Sequence, residues 1–290
     1  GKETGARIPG GQVMICLTGD LHHMSLGTGN QQHSDISELK TSQLYLDILR
    51  SAQIKVTFFI SGLCFVEEWD DLEPIANDPL VEIGGHNYNC FKPEIWHRVW
   101  KKLIGSYNGP RWYQDLDTKR TIRAAQKRTG KTIKLWRNHM YMHGPYTESV
   151  LAKNGVILIS DGVKKDSMGP VWDDRGIWSF PINVIPDHEH IYHAERTREW
   201  VAWWQKRYNW SDDFGPDSYS VEDWAEMVIE QLKENESRGA VSNVIIHPIT
   251  MYLADRFVSV TRIVDYLATR KCVHISEIIP PDSDRQEART

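Results

Sequence analysis

Five short, strand-like, largely apolar runs in this chain each close on a side chain that can bind metal or move a proton. Residues 13–18 lead to Asp20 and His22, 81–84 to His86, 132–136 to Arg137, 156–160 to Asp161, and 241–246 to His247. A continuous apolar run, as opposed to an alternating one, predicts a strand covered on both faces. A further run at 55–60 closes on Ser61 and Gly62. Between the runs, 39–52, 65–77, 117–129, 147–152, 220–236 and 256–269 carry helical spacing. Strands alternating with helices predict an α/β fold with mostly parallel strands, as a sheet or a (β/α) barrel. In such a fold the C-terminal strand ends converge at one mouth, so groups far apart in sequence can share one site.

The 290 residues fit one large domain. The expected boundaries are 13–279, with 1–12 as a loose glycine-rich arm and 280–290 as a polar tail. A composition change at 186–236, rich in His and Trp, predicts a helical insertion decorating the domain, with a subunit interface as one use for it. The formal net charge of -5 and the lack of a basic run give no reason to expect nucleic acid. No apolar stretch is long enough to span a bilayer. The four cysteines, Cys16, Cys64, Cys90 and Cys272, are widely spaced and read as reduced thiols. That pattern and the lack of a signal peptide in this numbering favour the cytoplasm, with the compartment left open. The twelve Trp suit core packing, or flat faces for sugar rings.

His86 and Cys90 stand four residues apart. In a helical turn that spacing puts both on one face, and both are ligands for a borderline-soft ion such as zinc. Taken alone, the pair favours a turn-capping imidazole and a small buried thiol over a metal site.

Four stretches carry a family resemblance. Val56-Thr-Phe-Phe-Ile-Ser-Gly62 resembles the Ala-Thr-Phe-Phe-Val-Ser-Gly of the polysaccharide deacetylases, carbohydrate esterase family 4, with the NodB-homology fold. Val81-Glu-Ile-Gly-Gly-His86 resembles their Glu-Ile-Gly-Ser-His motif, Thr129–Arg137 the stretch before their arginine motif, and Val244-Ile-Ile-His247-Pro248 their last histidine motif. Thr18-Gly-Asp20-Leu-His22-His-Met-Ser25 is similar to the branch with Asp-x-Asp followed by Ala-Met-Ser. The likeness runs from about Val13 to Asp161, resumes from Val241 to Ile278, and is weak through 186–236. It implies a NodB-type barrel and a metal-dependent hydrolase, most similar to enzymes that N-deacetylate a sugar or polysaccharide.

The resemblance also implies roles. Asp20 would be the base, Arg137 its holder, His247 the acid, and Asp161 the residue orienting His247. The family's second aspartate is His22 here, and the second histidine of its His-x-x-x-His is Cys90, so the implied ligand set is His22, His86 and Cys90 around zinc or another divalent transition metal. The family's arginine motif continues with proline; here it reads Arg137-Asn138-His139. Tyr88, Trp96, Trp136, His139, Tyr141 and His143 stand near the motifs as expected substrate contacts, His139 and His143 also as extra ligands. Expected partners are a carbohydrate or small amide and a second copy of the chain. Two other readings stand beside this one: a metal-independent, allantoinase-like amide hydrolase, and a non-catalytic glycan binder of the same fold.

Overall fold

A computed structural model describes residues 13–279. The expected arm at 1–12 and tail at 280–290 lie outside the described residues. The strands are β1 (Met14–Leu21), β2 (Val56–Ile60), β3 (Val81–Gly85), β4 (Leu135–Trp136), β5 (Leu158–Ile159), β6 (Val171–Asp173), β7 (Ile177–Ser179), β8 (Ser242–Ile245) and β9 (Lys271–Cys272). They form one sheet in the order β6-β7-β5-β4-β3-β2-β1-β8, with β9 on β1. Only the β6–β7 pair is antiparallel. Every residue of β1, β2 and β8 is buried, as expected of strands covered on both faces.

The sheet is open, not hydrogen-bonded all the way round. The chain after β7 meets β8 through asparagines: the Asn183 N–H donates to Asn243 O at 3.3 Å, the Asn243 N–H to Asn183 Oδ1 at 2.8 Å, and Asn243 Nδ2 to Phe180 O at 2.9 Å. Residues 177–185 read in sequence as a strand-like run interrupted by Pro181, which has no N–H for a ladder, and β7 ends just before it at Ser179.

The helix Glu38–Ser51 starts at Ser37, whose side chain accepts from the Lys40 N–H, and Val221–Arg238 starts at the expected cap Ser220. Gly130, at φ +70°, ends Arg111–Thr129 where the sequence placed the stop. That helix begins six residues before the expected Asp117, and Glu94–Ile104 forms a helix within a stretch read as irregular. Its apolar residues face out, so it carries no core signal. The expected insertion at 186–236 divides in two. Val221–Arg238 buries Trp224, Val228 and Leu232 in the main core, and Asp187 enters the site described below. Only the Trp-rich helix Arg198–Tyr208, with Val201 as its one buried residue, stands outside that core.

The Gly84–Gly85 pair lets the layers close onto the sheet. A Cβ on Gly85 would meet Trp136 at 2.4 Å, and one on Gly84 would meet Phe59 at 2.5 Å. Gly85→Ala is therefore expected to cost about 1–3 kcal/mol by overpacking, measurable as a lower denaturant midpoint.

Candidate metal centre and acid–base pair

Because β1, β3, β4, β5 and β8 run parallel, the residues after them meet at one end of the sheet. Three imidazoles converge there. His22 Nε2 lies 3.1 Å from His86 Nε2 and 3.2 Å from His139 Nδ1, and His86 Nε2 lies 3.3 Å from His139 Nδ1.

Their outer contacts fix what these nitrogens carry. His22 Nδ1 is 2.8 Å from Glu38 Oε1, and His86 Nδ1 is 3.0 Å from Arg137 O. A carbonyl and a carboxylate only accept, so each Nδ1 holds a proton and each Nε2 points inward. Burial holds His86 neutral, lowering its pKa from 6.5 to about 3, and likewise holds His139 well below its ordinary value. Lone pairs face to face repel unless a cation lies between them. The spacing suits one: tetrahedral zinc–nitrogen bonds of ~2.0–2.1 Å imply nitrogens about 3.3 Å apart. Outer partners on ligand imidazoles are the usual companions of such sites.

Cys90 Sγ belongs to the same group, whose four ligand atoms all lie within 4.8 Å of one another. It is the looser member. The sulfur also lies 3.7 Å from His86 O, and burial pushes its thiol well above the ordinary range. The expected helical turn between His86 and Cys90 is absent. Asn87, Cys90 and Phe91 have φ of +57°, +49° and +64°, and Met140 and Tyr141, after His139, have +54° and +50°. Both ligand-bearing loops are thus held in conformations that side chains resist, a kind of strain found at functional sites.

Beside the imidazoles sits the acid–base pair. Asp20 Oδ1 accepts from Arg137 Nη1 at 2.9 Å, and Asp20 Oδ2 lies 3.7 Å from His247 Nε2. Arg137 is fully buried; its other donors reach Ser160 O, Ser160 Oγ and Thr18 Oγ1 at 2.8–3.0 Å, and its guanidinium lies over the Phe59 ring. Burial alone would raise the Asp20 carboxyl. Arg137, His86 and His247 outweigh it and hold the carboxyl well below its usual range, so Asp20 is ionised. His247 is the converse. Burial favours the neutral ring, but Asp187 and Asp20 outweigh it and keep the imidazolium.

The orienting partner of His247 is Asp187, not the expected Asp161. Asp187 Oδ1 is 2.6 Å from His247 Nδ1, and Oδ2 accepts the His247 backbone N–H at 2.6 Å. Asp161 is held by Asn138 instead, through its backbone N–H at 2.7 Å and its Nδ2 at 2.6 Å. The departure from proline explains this, since proline has no N–H to give. Asn138→Pro keeps a compatible φ of −78° but loses both bonds. It is expected to cost roughly 3 kcal/mol or more by leaving a buried carboxylate under-partnered, read as a lower thermal midpoint.

The other expected contacts divide. Tyr141 and His143 line a cavity of about 250 Å³ beside Asp161, with Glu148 and Arg175. Burial pushes the Tyr141 phenol well up, and its charge neighbours include Glu189, Asp20 and Asp187, so it borders the acid–base pair. Hydrogen bonds to Asp161 and Glu148 raise His143 to about 9. Three expected contacts fall elsewhere. Trp136 is fully buried, its Nε1–H donating to Asn138 Oδ1. Tyr88 lies under the Arg120 guanidinium and close to Gly62. Trp96 is 57% exposed on the outer helix Glu94–Ile104.

Sequence reasoning missed two carboxylates. Glu38, fully buried, takes both the His22 backbone N–H and His22 Nδ1–H on one oxygen and Gln31 on the other. In sequence it is an ordinary acid in the first turn of a helix. Asp187 lay inside the supposed decoration, its one sign being an acid after an apolar stretch and before three histidines.

Near the mouth, burial pushes His193 down to about 4. The unfolded chain takes up this proton below about pH 6.5 and the native state does not, so stability falls as pH drops from about 6.5 to 4. The loss reaches about 3 kcal/mol. Melts across that window should show it, with a shallower slope in His193→Gln.

Residues 35–156 match the family model for polysaccharide deacetylase. No curated protein matches the chain in sequence. Among solved structures, a Mycobacterium smegmatis protein assigned as a polysaccharide deacetylase aligns with a TM-score of 0.68 at 16% identity, over 98% of this chain and 93% of that one. A probable polysaccharide deacetylase from Pseudomonas aeruginosa PAO1 aligns at 0.62 and 11%, over 92% and 89%. The allantoinase Puue aligns at 0.61 and 12%, over 98% and 93%. At these identities the likeness is one of fold. The segment matched in sequence carries Glu38, His86, Cys90, Arg137 and His139, and over that segment the chain is similar to the polysaccharide deacetylases.

Proposed function

We propose that this chain is a divalent-metal-dependent amide hydrolase that removes the acetyl group from an N-acetylated sugar or polysaccharide. The observation that carries the reading is the ionised Asp20 and the protonated His247, 3.7 Å apart and next to three inward imidazole nitrogens. His22, His86 and His139 would hold the ion, with Cys90 outside the tighter set. Zinc suits imidazole ligands, and the Glu38 carboxyl stands one shell out, against His22 Nδ1. Such an ion supplies Lewis-acid polarisation of the amide carbonyl and lowers the pKa of a water.

The remaining steps belong to the side chains. Asp20, held in place by Arg137, takes a proton from the attacking water. The water oxygen bonds to the acyl carbon, and the carbon–nitrogen bond breaks. His247, oriented by Asp187, gives its proton to the departing nitrogen. The products are a free amine and a carboxylate, acetate for an acetamido group. Asp20 must be ionised and His247 protonated at the same pH, and the opposed shifts of the two groups widen the window in which both hold.

The test is release of acetate and amine from N-acetylglucosamine oligomers by the purified chain, with zinc and with chelator. Turnover that stops with chelator and returns with zinc is expected. Cyclic amide hydrolysis that persists in chelator would support the metal-independent reading instead, and glycan binding without turnover under any divalent ion the non-catalytic one.

A further inference from the structure

The helix Glu94–Ile104 turns its apolar side outward. Ile95, Val99 and Leu103 follow the spacing of one helix face, with Trp96 beside them. They are 64%, 37%, 73% and 57% exposed, and His97 is the one buried residue of the helix. Trp112 and Leu116, on the next helix, are exposed as well, and Tyr113 of that helix packs on Trp100 at 4.7 Å. Among the described residues nothing covers this surface. A patch of this size is unusual on a free protein surface and marks an interaction site.

Its charge narrows the partner. Arg98, Lys101 and Lys102 follow one flank of the helix, Lys102 bordering Ile95 and Arg98 paired with Glu94 at 3.0 Å. Between Lys92 and Arg123 the chain has eight Lys and Arg against three Asp and Glu, although its overall net charge is -5. A second copy docking face to face would set this basic excess against itself, which disfavours that occupant. An anionic surface is complementary. A short amphipathic helix with Trp and branched aliphatic residues on one side and Lys and Arg on the other is the pattern of segments that lie in a lipid interface.

We propose that this face docks the protein on an anionic lipid surface, with the Glu94–Ile104 helix lying in the interface. The docking does not rest on the proposed hydrolysis. Its position still matters to the site. The Phe91 ring packs on His97 at 5.0 Å and on His139 at 6.0 Å, joining the docking helix to the metal-side loop through one side chain. His97 is fixed in turn by its Nδ1–H to Tyr107 O at 2.7 Å. A docked molecule would hold the mouth of the site close to the membrane surface.

The test is co-sedimentation of the full chain with phosphatidylcholine vesicles, with and without phosphatidylglycerol, at low and high ionic strength. Binding to the anionic vesicles that weakens with salt is expected. Lys101→Glu with Lys102→Glu should weaken it by at least about tenfold, as each basic residue near the surface contributes to attraction. Leu103→Glu or Ile95→Glu should abolish it with thermal midpoints close to wild type, since both side chains are exposed. Sedimentation velocity on the same variants completes the test. No preference for anionic vesicles at low salt overturns the proposal. So does an oligomer that Leu103→Glu disperses, which would give the face to a second copy.

Discussion

Asp187→Asn is expected to lower turnover by ~10²–10⁴-fold, the range typical of a general acid, with zinc content and fold close to wild type. The substitution keeps an oxygen for the His247 ring but removes the charge that helps hold its imidazolium. The sign of the pH effect follows. With Asp187 gone, His247 loses its proton at lower pH, so the alkaline limb of kcat/KM should move to lower pH. The acid limb, set by Asp20, should move much less, because Arg137 still holds that carboxylate. A mutant with reduced activity but an unshifted alkaline limb would mean that Asp187 serves packing alone. Near-normal turnover would remove the Asp187–His247 pair from the mechanism.

His139→Ala is expected to release the ion. It removes one of three inward nitrogens and leaves His22 and His86 facing each other at 3.1 Å. The loss of affinity should exceed the ~10–100-fold typical of removing an outer partner, a range that Glu38→Gln should itself show. Cys90→Ser should change affinity by less than about tenfold, because the sulfur stands outside the tight triangle and bonds to the His86 carbonyl. Zinc titrations of the three variants, with activity followed in parallel, check this order. Release of zinc by Cys90→Ser comparable to that by His139→Ala would restore the thiolate to the ligand set.

Most of the fold was legible because buried parallel strands leave a strong local signature. Residues 13–18, 55–60, 81–84 and 241–246 are short, largely apolar runs, and each became a strand of the sheet. Asp20, His22, His86, Arg137 and His247 were legible for a related reason: a parallel sheet brings the ends of its strands together whatever their separation in sequence. What failed depended on long-range contacts or on loop conformation. The pairing of His247 with Asp187 spans sixty residues, and no local pattern distinguishes it from pairing with Asp161. That His139 joins His22, His86 and Cys90 turned on two loops with positive φ, where helical spacing does not apply. Trp96 and Trp136 stood close to the motifs in sequence, yet one faces solvent and the other fills the core. Proximity along the chain says little about the direction of a side chain in an irregular segment.

The central claim is that three imidazoles hold a divalent ion on which amide hydrolysis depends, and metal analysis of the purified chain tests it most directly. The expected result is about one equivalent of zinc per chain, lost together with activity on chelation and regained with added zinc, and absent from His139→Ala. A chain purified without metal that turns over substrate fully in the presence of chelator would contradict it.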